Sequence, residues 1–204
     1  MNTSKDLGQI EFWNQFILDG DQEALSHIYF HYYDFLFDYG RKHTSNKQMV
    51  EDAIQDIFIS FIKARKRIGI VKNLNGYLIA TFRRQLFLDL NKQRKTILTE
   101  NLAEESFDYF RSTDEDISEI GNREQLYLTI KQCVSKLTNK QKEIMFLRFE
   151  SGISYTEIAE TLNISVDSCY KSIYRSINAI KSEAEKVLVK GGDILLWVWL
   201  RSVK

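Results

Sequence analysis

Two groups of side chains in this chain are of the types and spacing that meet anions. Residues 60–96 hold ten basic side chains (Lys63, Arg65, Lys66, Arg67, Lys72, Arg83, Arg84, Lys92, Arg94 and Lys95) and one acidic, Asp89. Cations at this density, around a loop with Gly69, Asn73, Asn75 and Gly76, suit a polyanion such as a phosphate backbone. The second group lies within Ser154–Ile177. Ile158, Ala159 and Leu162 share one helix face. Asn163 falls at a turn that favours a left-handed residue, and Ser165 can cap a second helix. That pattern predicts a helix-turn-helix. Periodicity turns Val166 or Tyr170, Ile173 and Ile177 inward. It leaves Asp167, Ser168, Lys171, Ser172 and Arg175 to enter a major groove. Upstream, Lys140, Lys142 and Arg148 are placed to meet phosphates, on a helix that brings Ile144, Leu147 and Phe149 to the same core.

Other chemistries find little support. His27 and His31 are four residues apart on one helix, but no cysteine or carboxylate cluster completes a metal site. No phosphate-cradling glycine loop or nucleophile elbow appears. The expectation is therefore no metal, no cofactor and no enzymatic activity.

The elements that must carry these residues read as helices. Phe12, Trp13, Phe16 and Ile17 form a stripe over about Ile10–Leu18. Asp19-Gly20-Asp21 breaks it, and Asp21 can cap a second helix whose stripe runs from Ala24 to Tyr39. A third helix spans about Asn46–Arg67, with Val50, Ala53, Ile54, Ile57, Phe58, Phe61 and Ile62 inward. A fourth spans Tyr77–Lys95, with Leu78, Ile79, Phe82, Leu86 and Leu90 inward. The pattern lapses over residues 96–121, where acidic side chains dominate. It returns from Arg123 to about Val189.

Composition agrees. The 204 residues contain no proline and only 9 glycines, which disfavours a turn-rich β fold. Cys133 and Cys169 are the only cysteines, which fits a reduced compartment. The polar N-terminus does not read as a signal peptide. Ile194–Leu200 is apolar but far shorter than the roughly 20 residues a membrane span needs. The net charge is zero, yet it is segregated: residues 1–59 carry −6, 60–96 carry +9, 97–125 carry −7 and 126–181 carry +3. Two basic blocks separated by an acidic spacer make a layout for polyanion binding.

At residues 137–177 the pattern resembles region 4 of the sigma-70 family, the domain that reads the −35 promoter element. The resemblance implies that Lys140, Lys142, Arg148, Asp167, Ser168, Lys171, Ser172 and Arg175 serve that contact. Glu51-Asp-Ala-Ile-Gln-Asp-Ile-Phe58 resembles region 2.2, which docks on a coiled coil of the polymerase β′ subunit. Asp52, Gln55 and Asp56 share one exposed face, and with Phe58 they become the implied polymerase contacts. Helix 77–95 resembles regions 2.3–2.4, which melt and read the −10 element, here with Arg84-Gln85, Asp89 and Lys92. Arg65, Lys66, Arg67, Lys72, Arg83, Arg84, Lys92 and Arg94 become the implied −10 set. Gly20-Asp-Gln-Glu-Ala-Leu25, followed by Tyr29 and Tyr32, is similar to the family's opening.

The resemblance covers about residues 12–95 and 132–181, and the spacer has no room for a region 3 domain. That points to the extracytoplasmic-function class. It implies an all-α fold of two small helical domains joined by a flexible acidic linker. These are a region 2 bundle over 8–95, the linker over 96–122, and a region 4 helix-turn-helix over 123–190, with an apolar tail over 191–204. It further implies an alternative sigma factor in the cytoplasm, without a membrane span. Its partners would be core RNA polymerase through the β and β′ subunits, promoter DNA and an anti-sigma factor. The competing reading is a helix-turn-helix transcriptional regulator with an N-terminal sensor domain.

Overall fold

The computed structural model describes residues 3–96, 106–111 and 124–188, so the apolar tail over 191–204 lies outside it. The regular structure of these residues is helical, as the sequence predicts. The N-terminal group is α1 (Thr3–Asp19), α2 (Gln22–His43), α3 (Lys47–Ala64) and α4 (Leu74–Thr96), with a 3-10 turn at Arg65–Arg67. The C-terminal group is α5 (Glu124–Ser135), α6 (Asn139–Phe149), α7 (Tyr155–Thr161) and α8 (Val166–Leu188).

Local chemistry sets the helix ends. Gly20 reverses the chain with φ +79°, a conformation that costs glycine little. The Asp21 carboxylate then accepts from the N–H groups of Glu23 and Ala24 and opens α2. Asn46 accepts from Met49 N–H and opens α3. Two reciprocal capping boxes, Thr138 with Gln141 and Ser154 with Glu157, open α6 and α7. Asn163 has φ +50°, the left-handed turn expected of it, and Ser165 Oγ accepts from Ser168 N–H at 3.1 Å.

Trp13, Ile28, Leu36, Val50, Ile54, Phe61, Leu78 and Phe82 fill the first core. Gly40 lets α2 approach α3 and α4. A methyl group there would stand 2.6 Å from Val50 Cγ1 and 2.9 Å from Phe82 Cζ. The second core holds Cys133, Leu137, Ile144, Leu147, Ile158, Cys169, Ile173 and Ile180. Both cysteines are buried free thiols.

The structure corrects the sequence reading on α8. Cys169, Ile173, Ser176, Ile180 and Ala184 face inward, whereas Val166 and Tyr170 are exposed. The inward stripe is rotated by one residue from the one expected. Its small members, Cys169 and Ser176, are fully buried but weigh little in a hydrophobic count.

A second difference concerns the two groups' independence. Their buried residues form one continuous cluster, with α4 lying on α7. Tyr39 and Phe35 of α2 stack on Phe146 of α6 at ring separations of 6.0 and 6.1 Å. Phe107, from the acidic stretch, is buried between them. Acidic composition concealed this segment's apolar members, Phe107, Tyr109 and Phe110. Burying a ring the size of Phe107 is worth about 1.5–3 kcal/mol.

Candidate nucleic-acid interface

The basic residues of the N-terminal group follow α3 and line α4, and they do not share one environment. Lys66, Arg67 and Lys72 are exposed around the turn and the loop after it. Tyr32 Oη donates to Asn75 Oδ1, and Asn73 Oδ1 accepts from Gly76 N–H at 3.0 Å, so the loop is fixed at its far end. Arg65 has a different task. Its guanidinium donates to the carbonyls of Phe16, Ile17 and Leu18 at 3.0–3.4 Å and closes the end of α1.

On α4, Arg84 is exposed. Lys92 pairs with Asp89 at 2.9 Å, and Asp89 also accepts from Gln85 at 2.9 Å. The hydrogen bond and charge of Asp89 raise the pKa of the Lys92 ammonium. The side chain of Arg94 lies outside the described residues. A cleft of about 330 Å³ runs beside this helix, lined by Ala80, Arg83, Arg84, Phe87, Leu88, Asn91 and, from α7, Thr161.

Arg83 is drawn across the seam between the two groups. Its Nε donates to Glu143 Oε1 of α6 at 2.9 Å, and its guanidinium lies 4.5 Å over the Phe87 ring. Glu143 is buried. It also accepts from Tyr39 Oη at 2.5 Å, and His43 Nε2 stands 3.5 Å away. Burial opposes ionisation of this carboxyl, but His43 and Arg83 outweigh it and hold the pKa at about 2. Burial, reinforced by the Glu143 charge, pushes the Tyr39 phenol well above its usual value.

The face expected to meet polymerase is partly as read. Asp52, Gln55 and Asp56 are exposed on α3. Gln48 steadies Asp52 at 2.8 Å, and Gln85 approaches Asp56 at 3.4 Å. Phe58 is not on that face. It is only 6% exposed, packed on Tyr29 and Phe61, because its position falls on the core stripe. The exposed Ile59 and Ile62 continue the face instead, and sequence periodicity had counted Ile62 as core.

In the C-terminal group Lys140 is exposed and Lys142 half-buried. Arg148 is engaged: it donates to the Ile153 carbonyl at 3.0 Å and stacks 4.6 Å over Tyr155. On α8, Asp167, Ser168, Lys171 and Arg175 are exposed and Ser172 is half-buried. Lys171 pairs with Asp167 at 2.7 Å, and Ser168 is bonded to Ser165 at the cap. Tyr170 and Tyr174 stand beside them, 52% and 70% exposed. Tyr170 stacks on Tyr155 at 4.0 Å. The expected recognition set omitted both rings, and Tyr170 was, with Val166, one of two alternatives for a core position. His27 packs on Phe12 and His31 on Tyr32, so each imidazole takes part in aromatic packing.

A basic helix and loop on one all-helical group, with a helix-turn-helix on the other, define a two-module nucleic-acid-binding protein. The comparisons make this specific. The family model for sigma-70 region 2 matches residues 28–96, and that for sigma-70 region 4 matches residues 127–180. Together they cover more than half of the chain. The chain belongs to the sigma-70 family of RNA polymerase sigma factors, with the region 2 and region 4 layout of the extracytoplasmic-function type. It is thus an alternative sigma factor, a subunit that directs core polymerase to promoters. No curated protein matches the sequence.

Among solved structures, CnrH, determined with the cytosolic domain of CnrY, is 16% identical with a TM-score of 0.58. The match covers 91% of this chain and 99% of that one, and shows a common fold. The sigma factor RpoE of Bartonella quintana, determined with the anti-sigma factor NepR, is 15% identical with a TM-score of 0.49. That match covers 74% of this chain and 91% of the other.

Proposed function

We propose that this sigma factor divides its contacts as follows. Asp52, Gln55 and Asp56, continued by Ile59 and Ile62, dock on the polymerase β′ subunit. Lys66, Arg67, Lys72, Arg84 and Lys92 follow the −10 strand, joined by Arg83 once it leaves Glu143. Region 4 approaches −35 DNA through Lys140 and Lys142. It reads base edges with Lys171 and Arg175, and meets thymine methyl groups and sugar with Tyr170 and Tyr174. The observation that carries this reading is the exposure of Tyr170, Lys171, Tyr174 and Arg175 together on α8, behind a buried Cys169–Ile173–Ser176 stripe. Arg65 and Arg148 hold their own modules in shape. On this reading the protein works in the cytoplasm under control by an anti-sigma factor. Among the described residues no helix is long and apolar enough to cross a membrane. The working role is binding, not covalent chemistry.

The test is a set of alanine variants in reconstituted holoenzyme. Asp52→Ala with Gln55→Ala is expected to weaken core binding without changing thermal stability. Unchanged core affinity would remove that face from the interface. Lys171→Ala or Arg175→Ala is expected to weaken −35 recognition by about 1–3 kcal/mol. An unaltered promoter preference would remove them.

A further inference from the structure

The loop over residues 68–73, between the 3-10 turn and α4, is held at more points than a connection needs. Ile68 and Val71 are half-buried against the core, while Gly69, Ile70 and Lys72 are exposed. Ile70 is 62% exposed, an apolar side chain in a stretch with the exposed cations Lys66, Arg67 and Lys72. Surface loops are ordinarily the mobile part of a fold. Here each end is tied to a helix remote in sequence.

At the near end, Ile68 N–H donates to the Ala64 and Arg65 carbonyls at 3.1 and 3.2 Å, which closes the turn. Arg65 in turn holds the last carbonyls of α1. At the far end, Asn73 opens α4. Its Oδ1 accepts from Gly76 N–H at 3.0 Å, and its carbonyl from Tyr77 N–H at 3.2 Å. Tyr77 packs edge-on to Trp13 of α1 at a ring separation of 5.6 Å. The remaining tie comes from Tyr32 of α2. Its ring is buried, and its Oη donates to Asn75 Oδ1 in the first turn of α4.

Packing accounts for the Tyr32 ring but not for its hydroxyl. A phenylalanine would fill the same space, so the oxygen adds nothing to the apolar core. Its bond to Asn75 fixes the start of α4 relative to α2, and with it the far end of the loop. A loop that reads an unpaired strand gains from being held beforehand. Ordering it only on binding would cost affinity and loosen the geometry on which discrimination depends.

We infer that Tyr32 and Asn75 are positioning residues for −10 recognition: their hydrogen bond holds the loop over residues 68–73 so that Ile70 and Lys72 meet the melted strand in one fixed arrangement. This rests on the assignment above, in which Lys66, Arg67 and Lys72 follow that strand. Tyr32 is buried and acts through the loop, not on a base. Two side chains that make one link should also behave as one, so removing both costs no more than removing either.

The test uses the full chain in reconstituted holoenzyme, transcribing a template pool randomised across the −10 element. Tyr32→Phe, Asn75→Ala and the double variant are compared with the native chain. Each is expected to flatten the −10 preference about fivefold, the order that one hydrogen bond supplies. The double variant is expected to lose no more than either single one. Core affinity and −35 preference are expected to stay unchanged. An unaltered −10 preference in Tyr32→Phe would overturn the inference. So would additive losses in the double variant, or an equal loss of −35 preference, which is what a general loosening of the fold gives. Arg67→Ala with Lys72→Ala separates this inference from the assignment beneath it. That pair is expected to lower transcription from every template in the pool. No loss there would mean that the loop is away from the strand, and the −10 assignment falls together with the inference. A loss there, with an unaltered preference in Tyr32→Phe, overturns the tether alone.

Discussion

At the scale of residues, the informative side chains are those that proved to have a different neighbour from the one expected. Glu143 is the clearest. Its sequence context is an ordinary helix, yet it lies buried among Tyr39, His43 and Arg83. Removing one partner from a buried charge cluster typically costs about 3–5 kcal/mol. Glu143→Ala should therefore weaken the seam by that order, read as a lowered melting temperature of the full chain. The depressed carboxyl pKa fixes the sign of a pH effect. Because the folded value, about 2, lies below the usual 4.5, the stabilisation is complete above about pH 4.5 and is lost as pH falls toward 2. Glu143→Gln should flatten that acid limb in a melting-temperature profile, and an unchanged limb would assign it to other carboxylates. Tyr170 and Tyr174 carry a second prediction. Replacing either with alanine should cost about 1–3 kcal/mol of −35 affinity with little change in stability, since both rings are exposed. A large fall in melting temperature would instead make Tyr170 a packing residue.

At the scale of elements, the helices were legible and their faces only partly so. The Asp21 cap, the Asn163 turn and the Ser165 cap were readable because each rests on local hydrogen bonding within a few residues. The capping box Thr138/Gln141 was readable in principle from its Thr-x-x-Gln pattern. The α8 stripe was not, because Cys169 and Ser176 are small residues that hydropathy barely registers, although both are fully buried. Spacing placed Phe58 inward, where it lies, and the resemblance alone added it to the polymerase contacts. Arg65 and Arg148 looked like DNA contacts because a carbonyl-capping guanidinium has the same composition as a phosphate-binding one. Gly40 tests the packing of α2, α3 and α4. Gly40→Ala puts a methyl group against Val50 and Phe82 and should destabilise the N-terminal group by about 1–3 kcal/mol. Denaturant unfolding would show it, and a neutral result would mean that the helices separate easily there.

At the scale of the molecule, the charge map anticipated two basic modules around an acidic spacer, and the family matches fall on those modules. It did not anticipate their contact. Domain docking depends on residues far apart in sequence, such as Phe35 with Phe146 and Tyr39 with Glu143, and no local pattern records such pairs. The central claim concerns what the modules do together. Purified chain should be added to core RNA polymerase lacking other sigma factors, and both complex formation and promoter-dependent transcription measured on genomic templates. The account predicts a stable complex, transcripts that begin at defined sites, and weak binding of duplex promoter DNA by the chain alone. Tight, sequence-specific duplex binding by the free chain, with no complex with core and no new transcripts, would contradict it and favour a conventional helix-turn-helix regulator.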